Sequence, residues 1–466
     1  MDALFLAEAA THFSKIASSV YDFPATPEQD KQRRLDFISA ISHEKVKALA
    51  LRHSTQTTCR ILSCDSGSFN ANFIIEFDDG TKCVVRIPIL PFVHDPWQKI
   101  LGHVAISEFL KDTTQIPVAR VRAYGSDEKL SNRSNMDFFF LIVDFIPGRS
   151  LSPRMLFEST TEQRAMFFSQ LIDILVELRQ TKFPALGSLM LKSKGELPDV
   201  GHLRSIPLNE LRRSPPPTRS VQEYMESQLE IVSDSLALPV ADQTIDDIKL
   251  EVFAFHFMGN YFTDIKSGVE ENGYPLHHSD LRLPNIIVGD DLQINGIIDW
   301  DDASTVPAQL FSPPTWISGV DENSIMAFQN THAEFRNILK EKAKTSPACH
   351  QLLNQWYKEP NGEPNEALYV AHIIRYPTEL AEVVARSYKR LCSTGNLGAS
   401  IKTYYESNHT IRQQVQQQME LCEAYTRYLK DRGLYVQEEP LNLQALKAKA
   451  EEATKQAKRI IQKYNL

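Results

Sequence analysis

No stretch of this 466-residue chain approaches the ~20 consecutive apolar residues that cross a bilayer. The best apolar run, Phe138 to Val143, has only the length of a strand. The opening residues, MDALFLAEAATHF, contain Asp2 and Glu8 and no basic stretch, so they read as a short amphipathic helix rather than a secretion signal. Cysteine is scarce: the six residues Cys59, Cys64, Cys83, Cys349, Cys392 and Cys422 lack metal-ligand spacing and read as reduced thiols in a cytoplasmic protein. Glycine and proline, at 18 and 25, are too few for a linker-like or collagen-like chain. Positive charge is not in excess either. Fifty Lys and Arg against 59 Asp and Glu leave a formal charge of −9, which argues against a partner made of nucleic acid.

What is present is an ordinary globular composition, 42% hydrophobic and 23% charged, on a chain long enough for two or three packed units. Residues 1–55 carry apolar positions (Leu35, Ile38, Ile41, Val46, Leu49, Leu51) at helical spacings and read as an N-terminal helical extension. The period then changes to two. Phe73, Ile75 and Phe77 alternate up to Asp79-Gly80, and Cys83, Val85 and Ile87 alternate after it, which predicts a β-hairpin whose turn uses the glycine. A helix follows over 97–111, then strands near Val121 and over 138–145, closed by Pro147-Gly148 as a hinge. From 148 onward the pattern is helical, beginning with a broad apolar stripe over 161–180. The 195–250 stretch, with Pro215-Pro216-Pro217, reads as a loop followed by helices and as an insertion. Two short strands flank Gly289-Asp290-Asp291, and the Lys-rich 443–463 segment reads as a solvated terminal helix. The expected architecture is α+β: a β-rich lobe over 56–147 and a mostly helical lobe over 148–466.

The densest chemistry lies in HHSDLRLPN, residues 277–285, followed by IIDW at 297–300. The pattern is H-x-D-x-x-x-x-N, with a second aspartate at a strand end 14 residues after the asparagine. Phosphoryl transfer asks a protein for a carboxylate near the acceptor hydroxyl and for oxygen ligands that hold Mg²⁺ against the phosphates. Asp280 suits the first task, Asn285 and Asp299 suit the second, and His278 would brace the loop. An aspartate cap or a turn asparagine is common alone; the spacing of the set makes it specific. His277 beside His278 does not make a zinc site, because no Cys, His or carboxylate set completes it. No G-x-S-x-G elbow supports hydrolase chemistry.

These motifs resemble the aminoglycoside phosphotransferase/choline-kinase family, and more closely its large fungal branch. Further stretches agree in order: DSGSFNANFIIEFDDGTKCVVRIP with the phosphate loop and hairpin, TTQIPVARV with the strand after the helix, LIVDFIPGRSL with the hinge, and KFPALGSL and LFSPPTWISG in the second lobe. The resemblance covers roughly residues 55–320. It implies a two-lobed protein-kinase-like fold that binds ATP and Mg²⁺ in the cleft and phosphorylates the hydroxyl of a small molecule. Asp280 then matches the catalytic base, Asn285 and Asp299 the magnesium ligands, and Arg282 a phosphate-contacting position. Ser66, Gly67, Ser68 and Asn70 match the phosphate loop, although it holds one glycine where G-x-G-x-x-G has three. The hinge Asp144-Phe145-Ile146 would offer backbone groups to adenine, with Ile87 and Ile298 as apolar walls. Trp300 and Trp316 could line the acceptor site. Asp301 and Asp302 could attract a cationic acceptor or form a solvated turn.

Two positions depart from the family pattern. Arg86 stands where the strand lysine pairs with the α- and β-phosphates, and a guanidinium can do the same. The helix glutamate that normally holds that cation aligns with His103, which cannot form the ion pair, and Glu108 is about 140° further round the helix. These departures leave open an alternative: a pseudokinase, or a nucleotide- or metabolite-binding protein with little transfer activity.

Overall fold

The computed structural model describes residues 23–132, 136–192, 198–265, 273–320, 322–358, 360–392 and 395–437. The amphipathic helix expected at the N-terminus and the Lys-rich helix expected over 443–463 lie outside the described residues.

Helices α1 (Pro27–Ser39) and α2 (His43–Arg52) lead into a five-stranded antiparallel sheet of β1 (Cys59–Ser66), β2 (Asn70–Phe77), β3 (Lys82–Pro88), β4 (Val121–Glu128) and β5 (Phe138–Asp144), in the order β1-β2-β3-β5-β4. Thr26 starts α1 with a capping box that Gln29 completes. The β2–β3 turn closes as the sequence predicts: Gly80 takes φ +81°, and the Asp79 carboxylate accepts the Thr81 amide at 2.9 Å. One face of β2 and β3 (Phe73, Ile75, Cys83, Val85, Ile87) is fully buried, together with Val46, Leu49 and Ala50 of α2. The N-terminal helices therefore complete the core of this lobe instead of forming an appendage. Strict alternation sends the other face of β3, Val84 and Arg86, toward the interlobe cleft. Helix α3 (Pro96–Thr113) lies between the sheet and the second lobe.

The hinge turns at Gly148, with φ +131°. A β-carbon there would approach the Val288 carbonyl oxygen to 2.5 Å, so only glycine fits. Beyond it, helices α4 (Thr161–Gln180), α5 (Val221–Leu236) and α6 (Ile245–Asp264) pack around one large core. From residue 198, where its description starts, the stretch read as an insertion runs through a short strand (Asp199–Gly201) and loops and continues as helices. Tyr224, Met225, Leu229 and Val232 of α5 are buried in that core, so its helices are structural members of the lobe. The 278–285 segment follows strand β6 (Tyr274–His277), and strands β7 (Ile286–Val288) and β8 (Ile294–Ile297) pair antiparallel and carry Asn285 and Asp299 at their ends. Helices α7 (Glu366–Arg375) and α8 (His409–Asp431) close the lobe. The result is a two-lobed α+β, kinase-like fold.

Candidate active site

A cleft of about 600 Å³ separates the lobes. Of the site residues expected from sequence, Ser66, Gly67, Ser68, Asn70, Arg86, Asp144, Ile146, Asp280, Arg282, Asn285, Ile298 and Asp299 all line it. His278 lies beneath them, buried behind the loop. Ile87 is a correction: it is fully buried on the opposite face of β3, as the alternation that aims Arg86 at the cleft requires. Val84, Ile74 and Val143 take its place as apolar wall. At the hinge, the Asp144 and Phe145 amides are already committed to the carbonyls of Arg120 (2.8 Å) and Lys82 (3.4 Å), and the Asp144 carboxylate pairs with Arg122. Only part of the hinge backbone thus remains for a base.

The loop is braced from within. The Asp280 amide donates to His278 Nδ1 at 3.2 Å, so the proton sits on Nε2, which donates to the Ile298 carbonyl at 3.0 Å. Burial, the largest effect, lowers the pKa of His278 and keeps the ring neutral. The Asn285 amide donates to the Asp280 carbonyl at 2.7 Å and to its carboxylate at 3.1 Å, which leaves the Asn285 side-chain oxygen as a donor atom. Asp299 adopts a left-handed conformation (φ 67°, ψ 53°) that turns its carboxylate into the cleft. Arg282, half exposed, holds Asp280 Oδ2 from the cleft side at 3.1 Å. Trp300 packs on His278 and donates to Ile297. Trp316 donates to Leu281 among Phe167 and Phe168 and is a core residue, not a wall of the acceptor site.

The region around Arg86 resolves the two departures. Arg86 Nη2 donates to Asp299 at 2.8 Å and to Asp301 at 3.1 Å, and its side chain is 12% exposed. His103 does face Arg86, at 3.4 Å, and its Nδ1 lies 2.7 Å from the Asp301 carboxylate. The carboxylate that α3 lacks is therefore supplied by Asp301, from the turn after β8, which Asn70 also reaches at 3.1 Å. One turn before His103, buried Lys99 pairs with Asp302 at 3.1 Å and lies over the Phe69 ring. Asp301 and Asp302 are accordingly buried and paired, neither a solvated turn nor a lure for cationic acceptors. Burial opposes the charges of Arg86 and Lys99, but the three aspartates outweigh it and raise both pKa values. Burial would also raise the Asp301 carboxyl; Arg86, His103 and Lys99 more than reverse this and hold it well below the usual carboxylate range. For Asp302 burial wins and the pKa rises.

Sequence reading missed Lys99 and Arg375. Lys99 was within reach, since it stands four residues before His103 on the same helical face. Arg375, the last residue of α7, donates to Asp280 Oδ1 in a short ion pair and lies 95 positions away in sequence, with no motif around it.

Two lobes, a hinge and an Asp–Asn–Asp set at the cleft define a kinase-like phosphotransferase. The profile described as the phosphotransferase enzyme family matches residues 61–309, more than half of the chain, and the chain belongs to that family. Clavilactone A biosynthesis cluster protein Y of Ampulloclitocybe clavipes is 23% identical over 325 residues, which span 67% of this chain and 75% of that protein. Among solved structures, the ethanolamine kinase of Plasmodium vivax is similar at 12% identity and a TM-score of 0.44, over 88% of this chain and 97% of that one. An amicoumacin kinase in complex with AMP-PNP, Ca²⁺ and its ligand is similar at 11% identity and a TM-score of 0.43, over 84% and 96%. No helix among the described residues is long and apolar enough to cross a membrane.

Proposed function

We propose that this protein is an ATP- and Mg²⁺-dependent phosphotransferase that phosphorylates the hydroxyl of a small molecule in the cytoplasm. The observation that carries this reading is the place of Asp280. Its carboxylate stands where the large interlobe cleft meets a second, mostly apolar cavity of about 70 Å³.

The donor set suits Mg²⁺, which takes one or two protein oxygens and completes its shell with phosphate and water. The Asn285 side-chain oxygen and the Asp299 carboxylate are those oxygens. When bound, Mg²⁺·ATP supplies the phosphoryl group and the positive charge that screens it. Arg86, with Ser68 and Asn70, positions the phosphates, and a β-carbon on Gly67 would meet nothing within 4 Å, which leaves that backbone open to approach. Ile146 and Ile298 bracket the base. Asp280 orients the acceptor hydroxyl and takes its proton as the oxygen–phosphorus bond forms and the bond to the ADP oxygen breaks. Three donors (Arg375, Arg282, Asn285) already contact this carboxylate, so it acts more by orientation than by basicity.

The pseudokinase alternative drew on Arg86 and His103. The Arg86–Asp301 pair speaks against it, because the cation remains anchored and aimed into the cleft. The direct test adds Mg·ATP to purified protein and follows melting temperature and, across a panel of hydroxyl compounds, ADP release. Magnesium-dependent stabilisation and acceptor-dependent ADP are expected; no stabilisation at millimolar nucleotide would defeat the reading.

A further inference from the structure

We propose that Arg375 anchors the acceptor, and that the acceptor is a small apolar hydroxy acid whose carboxylate lies against that guanidinium. This rests on the phosphotransferase reading and names its substrate class.

The first observation is an unspent donor. The Arg375 side chain is 11% exposed; its Nη2 binds Asp280 and its plane lies 4.9 Å from the Tyr376 ring. Its Nε is buried with no hydrogen-bond partner, and Arg375 is one of the residues that line the smaller cavity. A buried guanidinium N–H without an acceptor is costly, and a carboxylate oxygen is the strongest acceptor a ligand can bring to it.

The second observation is charge. Two guanidinium groups, Arg282 and Arg375, converge on the one carboxylate of Asp280. Arg282 lines the cleft, on the side of the transferred phosphoryl group, and Arg375 lines the acceptor cavity. Within that cavity the wall acids are Asp280 and Asp302, and both are already paired. His277, which accepts no extra charge there, faces the Ser312 carbonyl at 3.2 Å, and burial pushes its pKa down to about 3. Among the described residues the junction therefore has an excess of positive charge and no unpaired wall carboxylate for an ammonium group, which disfavours a polycationic acceptor.

The third observation is the wall itself. Leu175, Leu178, Leu203, Ile206 and Ile374 surround a narrow space, with Gln228 as a neutral polar group. A slim hydrocarbon tail fits it. Because Arg375 and Asp280 touch, the acceptor's hydroxyl and carboxylate must sit on neighbouring or near-neighbouring carbons.

The test uses 2-hydroxyhexanoate, its neutral counterpart hexane-1,2-diol, and kanamycin as a polycation, titrated calorimetrically into the full chain without nucleotide. The acid is expected to bind at least about tenfold more tightly than the diol, and kanamycin more weakly than either. Arg375→Met is expected to reduce acid binding to the level of the diol and to leave the diol unchanged, which a purely structural role would not do. Arg375→Lys, which keeps the charge, should retain part of the preference and serves if the methionine variant does not fold. The proposal is overturned if the wild-type protein does not prefer the acid, if the preference survives in Arg375→Met, or if kanamycin binds more tightly than the acid. Mg·ATP binding is measured separately on the wild-type protein; its absence would strike the phosphotransferase reading, whereas failure of the acid preference strikes only the acceptor class.

Discussion

The two ends of the cleft are built on opposite principles. At the end nearest the sheet, Arg86, Lys99 and the His103 ring face Asp299, Asp301 and Asp302, so that donors and carboxylates are matched in a buried lattice. At the Asp280 end, one carboxylate is shared by two guanidinium groups and backed by an apolar pocket. A matched lattice holds its shape without a ligand; an unmatched junction waits for one. Shape is thus a property of the first end, and the proposed selectivity a property of the second.

The comparison can be broken most severely at Asp280. Asp280→Asn should lower turnover by roughly 10²–10⁴-fold, measured as acceptor-dependent ADP release, while Mg·ATP binding by calorimetry persists. Loss of nucleotide binding in that variant would mean the two ends are not separable. Next comes the lattice. Asp301→Ala leaves His103 without its carboxylate and Arg86 with Asp299 alone in a dry site, and should cost about 3 kcal/mol of stability in urea unfolding. A cost below about 1 kcal/mol would show that Asp299 and Asp302 redistribute to cover the gap.

A smaller effect concerns pH. The folded protein keeps His277 neutral down to about pH 3, whereas the unfolded chain protonates it near its ordinary value. Stability from this group is fully present above the unfolded pKa and falls as pH drops from about 6.5 toward 3. His277→Gln should flatten that part of the melting-temperature profile between pH 7 and 4; an unchanged slope would place the acid sensitivity elsewhere. The smallest structural effect belongs to Gly67→Ala, where a methyl group meets open space. Stability should stay within about 0.5 kcal/mol, while the KM for ATP rises if phosphate approaches that backbone. An unchanged KM would remove the loop from phosphate binding.

Much was legible from residue order because it is local. The period-two pattern around Asp79-Gly80 identified the hairpin, and the same pattern aims Arg86 into the cleft and Ile87 away from it. The Asp280–Asn285–Asp299 set sits inside one strand–loop–strand unit whose spacing alone brings the three together. Ile87, next to Arg86 on β3, belongs to the core and not to the cleft wall by that same alternation. The position of His103 was also readable, by counting along α3.

What replaced the missing helix carboxylate was not readable. Asp301 lies 215 positions from Arg86 and 198 from His103, Lys99 lies 203 from Asp302, and Arg375 lies 95 from Asp280. Charged residues in a turn are ordinarily solvated, and only the packing of α3 on the turn Trp300–Asp302 excludes water and converts them into buried partners. Residue order thus determines which polar groups can be brought together at the cleft; long-range packing decides which of them are buried and paired, because burial and pairing depend on neighbours that no local window contains.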